Sequence, residues 1–290
     1  MRQPRPASLT HPSRADAPWT ATDRTGASAH TREGPGRWVD RADPSARTAP
    51  EPGVPVGPDA PILAVMSTAR AIRHLAPDAV PDGLLHSILE AATWAPSGGN
   101  WQPVSYVLVT DRAAMARLAL LWRGVVEDWR LLAAAAGIGD GRPDSAGALR
   151  AANDYQRDHF EDTPSLIVVC DDSRIAGELP SRAAVLLELV RRAGLRRAVR
   201  IARGSTQLFG RGAGASIYPA VENLLLAARA QALGACLTTW HLLAEDDFKN
   251  VLAIPRHVRT WAVVPIGWPL RPFGPVRRRP VDEVIHHDRW

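Results

Sequence analysis

From about residue 62 onward, apolar side chains recur in short blocks at regular spacing; before that point they do not. Ile62–Ala69 reads as a short helix. Leu84, Leu85, Ile88, Leu89 and Ala92 repeat at helical spacing and predict a helix over Asp82–Trp94, with Pro81 in its first turn and Pro96 ending it. The run "YVLVT" (106–110) predicts a buried strand, and Asp111 is a suitable N-cap for the following helix "RAAMARLALLW". Residues 137–147 read as a loop and "SLIVVC" (165–170) as a second buried strand. Residues 182–203 predict an Arg-rich helix with a solvated face. The stretch 218–234 carries an apolar stripe of Val221, Leu224, Leu225 and Ala228, with Gly234 as its C-terminal stop. "CLTTW" (236–240) and "WAVVPIG" (261–267) predict strands on either side of a helix over Glu245–Leu252. The mixture lacks a regular βαβ rhythm, and no GxGxxG follows a first strand. An α+β fold is therefore expected rather than a dinucleotide-binding one.

Residues 1–61 follow a different pattern: proline, serine, threonine and arginine are frequent, and long apolar runs are absent. Such a segment cannot bury enough surface to offset its ordering entropy, so a disordered tail is expected there and a folded domain over 62–290. Met66 is an alternative start, although it would cut into the first helix.

Hydrophobic residues make up 46% and charged residues 22% of the 290, as in ordinary globular chains. The net charge is +5, yet Lys249 is the only lysine among the 35 basic residues. With so much alanine and proline, the basicity reads as compositional bias rather than a nucleic-acid surface. Cys170 and Cys236 lie in apolar runs and read as inert thiols. No run approaches the roughly 18 apolar residues of a membrane span, and no signal-peptide core is visible, so no membrane partner is expected and the cytoplasm is the default location.

No GxSxG, HExxH or CxxC motif occurs, and no catalytic triad or metal set can be assembled. His74 and His241 are isolated; His286 and His287 are adjacent near the end. A glycine-rich "GRGAGAS" (210–216) lacks the features of a phosphate loop. Without catalytic side chains, a cofactor that carries its own chemistry becomes the natural expectation. Three segments could hold a phosphorylated aromatic one. Arg70 and Arg73 stand three apart in "ARAIRHL". The loop "PSGGNWQP" offers Ser97, Asn100 and Gln102, with glycines that let backbone amides approach a flat ring. Arg277 and Arg279 share one side of an extended "GPVRRRP" and make a phosphate clamp.

Together these segments resemble the FMN-dependent nitroreductase family. The resemblance is carried by "AVPDGLLHSILEAATWAPSGGNWQPVSYVLV" (79–109), "NLLLAARAQALGA" (223–235) and "VPIGWP…RRRPVDEVIHHDRW" (264–290), and it covers about residues 62–290. It implies a central mixed β-sheet flanked by helices, in an intertwined homodimer with FMN at the interface. It implies that Arg70 and Arg73 meet the FMN phosphate and the flavin or ribityl oxygens, with Ala71 between them in the cofactor-binding set at a position where the family's serine hydroxyl is lost. Pro96, Ser97, Gly98, Asn100 and Gln102 correspond to the flavin loop of the partner subunit. Arg277 and Arg279 correspond to the C-terminal phosphate clamp. Thr239, Trp240, His241 and Leu242 fall where backbone amides approach flavin N5. The chain departs from the family at Ala69 and Ala71, which replace an arginine and a serine, and at Val104, which replaces a tryptophan. The implied activity is hydride transfer from NAD(P)H through the flavin to a small-molecule acceptor, a nitroaromatic or quinone, by a ping-pong cycle. Reductive dehalogenation or flavin cleavage on the same fold is the alternative enzyme chemistry. A basic, non-enzymatic interaction protein is the alternative outside enzymes.

Overall fold

The computed structural model describes residues 57, 59–139, 146–172 and 182–290, without the side chains of residues 182 and 206–211. The expected tail falls almost wholly outside this set. In chain order the elements are α1 (Ile62–Thr68), α2 (Asp82–Thr93), β1 (Val104–Val109), α3 (Arg112–Ala136), α4 (Ala146–Asp158), β2 (Ser165–Asp172), α5 (Arg182–Ala193), α6 (Leu195–Gly210), α7 (Tyr218–Ala230), β3 (Gly234–Ala235), α8 (Glu245–Leu252) and β4 (Val258–Gly267).

The sheet runs in the order β1-β2-β4-β3, and all three strand pairings are antiparallel. The sheet is therefore antiparallel rather than the mixed one that the resemblance implied; the parallel contact of Ala71 with Ala235 is an isolated bridge at the β3 edge, outside the strand pairings. β2 is buried along nearly its whole length, which is why it reads as an unbroken apolar run. Its alternate side chains serve two cores. Ile167 and Val169, with Ala262, Val264 and Ile266 of β4, face Leu85 and Ile88 of α2 and Val221 and Leu224 of α7. Leu166, Val168 and Cys170, with Val263, face Met115, Leu118 and Trp122 of α3 and Phe248 of α8. The molecule is thus a helix–sheet–helix stack, an α+β fold. A bulge between Val169 and Cys170 of β2, where Trp261 is the extra residue on β4, keeps both faces in register.

The expected elements are present, with four differences. The Arg-rich stretch is two helices, because Gly194 takes a left-handed turn (φ 75°) between α5 and α6. Gly234 does not stop α7. The helix ends at Ala230, Ala232 supplies the left-handed turn, and Leu233 N donates to Ala228 O at 2.8 Å. Gly234 is instead in β3, where a Cβ would lie 2.8 Å from Ile72 Cγ2. Its bare backbone lets the Ala71–Arg73 segment pack against the strand. "CLTTW" is not a strand throughout: after β3 only Thr238 bridges to Val263, and the chain turns off into a 3-10 turn at Trp240–Ala244. Finally, α4 begins at Ala146, inside the stretch read as a loop, whose residues 140–145 lie outside those described.

Candidate functional site

The arginine segment leaves α1 and runs along the open edge of β3. Ile72 N donates to Ala235 O at 3.0 Å, which fixes the backbone on both sides of Ala71. From there Arg73 turns into a cavity of about 150 Å³, also lined by Asn153, Gln156, Leu237, Thr238, Thr239 and Trp240. Arg73 Nε and Gln156 Nε2 are both buried, and neither has a hydrogen-bond partner among the described residues. Buried donors are seldom left unpaired in a finished structure. Two of them on one small cavity have the chemistry to donate to an acceptor-rich group such as a phosphate or a ring carbonyl. Asn153 and Gln156 escaped the sequence reading. Their only signal is a polar pair at i, i+3 on an otherwise unremarked helix.

Arg70 is exposed and lies against the C-terminal stretch: a Cβ on Gly274 would stand 3.5 Å from its Nη1. That stretch runs back along the arginine segment through Ala76 N to Trp268 O, Leu270 N to His74 O, and Val276 N to Ser67 O. It is pinned by Phe273, buried under the guanidinium of Arg229 at 3.9 Å. Arg277 and Arg279 follow three and five residues after Gly274 and are exposed. Arg70, Arg73 and the start of the arginine tail therefore share one edge of the molecule.

The turn at Trp240 divides the four residues expected there. Thr239 and Trp240 line the cavity. Trp240 is held by ring stacking on Trp129 at 5.1 Å and Trp122 at 6.2 Å. His241 points the other way, fully buried, with Nε2 3.1 Å from Thr260 Oγ1. Burial pushes its pKa down to about 4. Leu242 is exposed, and its amide donates to Thr239 O at 3.1 Å. Beneath the turn, Glu245 Oε1 accepts from Thr260 N and Oγ1 at 2.9 Å each and pairs with Lys249 Nζ at 2.7 Å. Burial works to raise the Glu245 pKa, but these hydrogen bonds together hold it below its ordinary value. The one lysine of the chain thus serves the interior.

The loop at residues 96–102 stands apart. Pro96 and Gly98 are exposed, and Ser97 Oγ accepts from Gln102 N at 2.9 Å. Asn100 (φ 55°) and Gln102 (φ 49°) hold left-handed conformations that non-glycine residues seldom adopt, and Gln102 Nε2 lies 3.2 Å from Asn100 Oδ1. Gly98 N donates to Ser216 Oγ at 3.0 Å, which ties the loop to the turn before α7. Ser216 gives "GRGAGAS" a purpose that its glycines had obscured. The loop belongs to the α2–α7 face and leads into β1, whereas the Arg73 cavity opens beside Trp240 on the α3–α8 face, near β3.

Residues 66–268 match the family model described as the Nitroreductase family, so the chain belongs to that family of oxidoreductases. An NADH dehydrogenase from Thermus thermophilus is 29% identical over 227 residues, covering 74% of this chain and 90% of that protein. Two solved structures share the fold. A BluB-like flavoprotein from Clostridium difficile 630 gives a TM-score of 0.56 at 19% identity, over 79% of this chain and 99% of that one. An iodotyrosine deiodinase bound to FMN and 3-iodo-L-tyrosine gives 0.56 at 17% identity, over 79% of this chain and 100% of that one.

Proposed function

We propose that the protein is an FMN-dependent oxidoreductase that takes reducing equivalents from NADH or NADPH and passes them to a nitroaromatic or quinone-type acceptor. The observation that carries this reading is the pair of unpartnered buried donors, Arg73 Nε and Gln156 Nε2, on the cavity beside Thr239 and Trp240. Such donors suit the carbonyls, ribityl oxygens and phosphate of FMN. Arg73, Asn153, Gln156, Thr239 and Trp240 would hold the cofactor on this side, with Arg70, Arg277 and Arg279 on its phosphate. Bound there, the flavin would supply the hydride chemistry. The chain's own part is to bind, orient and exclude water. Arginines beside the site favour negative charge on the bound group. The packed Trp240 turn holds one wall rigid.

The reading includes a homodimer. Within one chain the loop adjoins β1 and the Arg73 cavity lies beside β3, at opposite edges of the sheet. The strands they adjoin are separated by three interstrand spacings, roughly 14 Å, with the sheet between. A second copy can present its loop of Ser97, Gly98, Asn100 and Gln102 instead. Exposed apolar residues beside that loop, Trp94 and Trp101, and in the C-terminal stretch, Val281, Val284 and Ile285, favour such an association.

The test is a spectrum of the purified protein with its oligomeric state measured in parallel. The expected result is a yellow dimer whose released chromophore is FMN. NADH or NADPH should bleach it without oxygen, and a quinone should restore it. A protein that stays colourless after incubation with FMN sinks the proposal.

A further inference from the structure

Arg73 and Gln156 face the same small cavity, and the residues next to them in the chain meet as well. His74 follows Arg73 in the arginine segment, and Tyr155 precedes Gln156 on α4. Their rings stack at 4.0 Å, 24° from parallel. Tyr155 stacks in turn on His159 at 4.3 Å and 23°. The three rings form a column that joins the two walls carrying the unpartnered donors.

The composition of α4 makes that contact matter. Gln156 is its one buried residue, so no apolar stripe fastens the helix to the core. Its ties to α3 are partly exposed ion pairs, Arg130 with Asp154 and Arg157 with Glu127 at 3.3 Å, and such pairs contribute little. Its tie to the arginine segment is the ring column, which buries flat apolar area.

The two ends of the column have different electrostatic surroundings. His159 is exposed, and its Nδ1 lies 3.0 Å from Asp162 Oδ2 in the turn after α4. His74 is half-buried, and the charged groups that shift it are all basic: Arg271 from the C-terminal stretch, His159 beyond Tyr155, and Arg73 beside it. Burial first, and then those charges, hold its pKa below the ordinary 6.5. A proton on the ring would be drawn to the Tyr155 face, but lost hydration and three basic neighbours oppose it.

We propose that the His74–Tyr155–His159 column is a proton-sensitive clasp on the cofactor cavity. With His74 neutral, the column holds Asn153 and Gln156 of α4 against Arg73. A proton on His74 loosens α4 and releases the ligand that these residues grip. Because the folded value is the lowered one, the clasp is complete above about pH 6.5 and is lost as the pH falls through the folded value. His74 and Tyr155 are positioning residues, acting through Arg73 and Gln156. The proposal rests on the FMN reading only for the identity of the ligand; the clasp itself belongs to the flavin-free chain.

The test is hydrogen exchange of the flavin-free full chain between about pH 8 and pH 5, each rate divided by the intrinsic rate at that pH. The FMN dissociation constant, from quenching of flavin fluorescence, is measured over the same range. Protection of the α4 amides should fall several-fold toward the acid end while the β2 amides hold theirs, and FMN affinity should fall in parallel. His74→Phe keeps a flat ring and removes the proton: it should retain the neutral-pH values and lose both trends. His74→Ala, and Tyr155→Leu from the other side, should leave α4 loose at every pH. Rescue by the flat ring, together with a flattened pH profile, is not produced by a merely structural role. The proposal is overturned if α4 protection does not change with pH, if His74→Phe keeps the wild-type trend, or if FMN affinity stays level while α4 loosens. An α4 that behaves as stated in a chain that binds no FMN at any pH would leave the clasp standing and remove the FMN reading.

Discussion

His241 lies one residue from the cavity wall and points away from it, so its titration reads out the interior. Thr260 Oγ1 donates to Glu245 Oε1, which leaves its oxygen to accept from His241 Nε2–H. The ring is therefore neutral, with Nδ1 unprotonated and without a partner among the described residues. Burial lowers its pKa to about 4; Lys249 adds to the lowering and Glu245 opposes it. In the unfolded chain the ring binds a proton near its ordinary value of 6.5. Between those values only the unfolded state is protonated. The stabilisation is complete above the unfolded value and is lost as the pH falls toward the folded one. One-site linkage puts the loss at about 2 kcal/mol between roughly pH 7 and pH 4.5. Urea unfolding of the wild type and of His241→Asn across that range is the assay, with His241→Gln as the second variant should the first fail to fold. The wild type should lose about 2 kcal/mol more than the variant over the window. Parallel pH profiles would refute both the neutral tautomer and the buried network built on it.

Three further outcomes follow from the same geometry. Lys249→Met leaves the Glu245 carboxylate with its Thr260 donors but no cation. It should cost about 2 kcal/mol in denaturant unfolding, and Glu245→Gln in addition should recover part of it; a double variant as unstable as the sum of the singles would show no coupling. Ser97→Ala removes the acceptor for Gln102 N and releases a loop held in left-handed conformations. Flavin retention should fall several-fold while the unfolding midpoint moves little, and unchanged flavin content would count against the loop. Gly234→Ala drives a methyl into Ile72 Cγ2, whose free position is only 2.8 Å away. It should lower stability by about 1–3 kcal/mol and shift Arg73 with it, so a variant with wild-type melting and flavin content would show that the close approach is dispensable.

Periodicity carried most of the fold because the cores are simple. β2 and β4 are apolar on both faces and read as runs; α2 and α7 each bury one stripe and read as amphipathic. What escaped has identifiable physical reasons. A glycine after a helical pattern signals a stop, but Gly234 is needed for close packing, and Ala232 pays the left-handed turn instead. The residues after Cys236 have strand propensity, yet pairing ends once Thr238 has met Val263, since the chain must leave the ladder to form the Trp240 turn. The helix α4 buries little apart from Gln156, so no apolar period announces it. That explains why Asn153 and Gln156 were invisible in the sequence, while the motif-bearing arginines and the glycine loop were not.

The location of the two motif groups carries a consequence that neither motif has alone. In sequence, Arg70–Arg73 and Ser97–Gln102 are neighbours, separated only by α2. The fold sends them to opposite edges of the sheet, the loop beside β1 and the arginines beside β3. A chain that needs both groups on one ligand must borrow one of them. The donors at Arg73 and Gln156 without a partner among the described residues, and the exposed loop tied to Ser216 through Gly98 N, are complementary features of a single chain. Mixing two inactive variants distinguishes borrowing from self-sufficiency. Arg73→Ala and a loop variant carrying Asn100→Ala with Gln102→Ala, each poor in flavin, should form mixed dimers in which one site is intact. Flavin binding should then recover toward half of one flavin per chain. No recovery after subunit exchange, with mixed dimers demonstrated, would mean that each chain completes its own site and that the distance across the sheet is bridged in some other way.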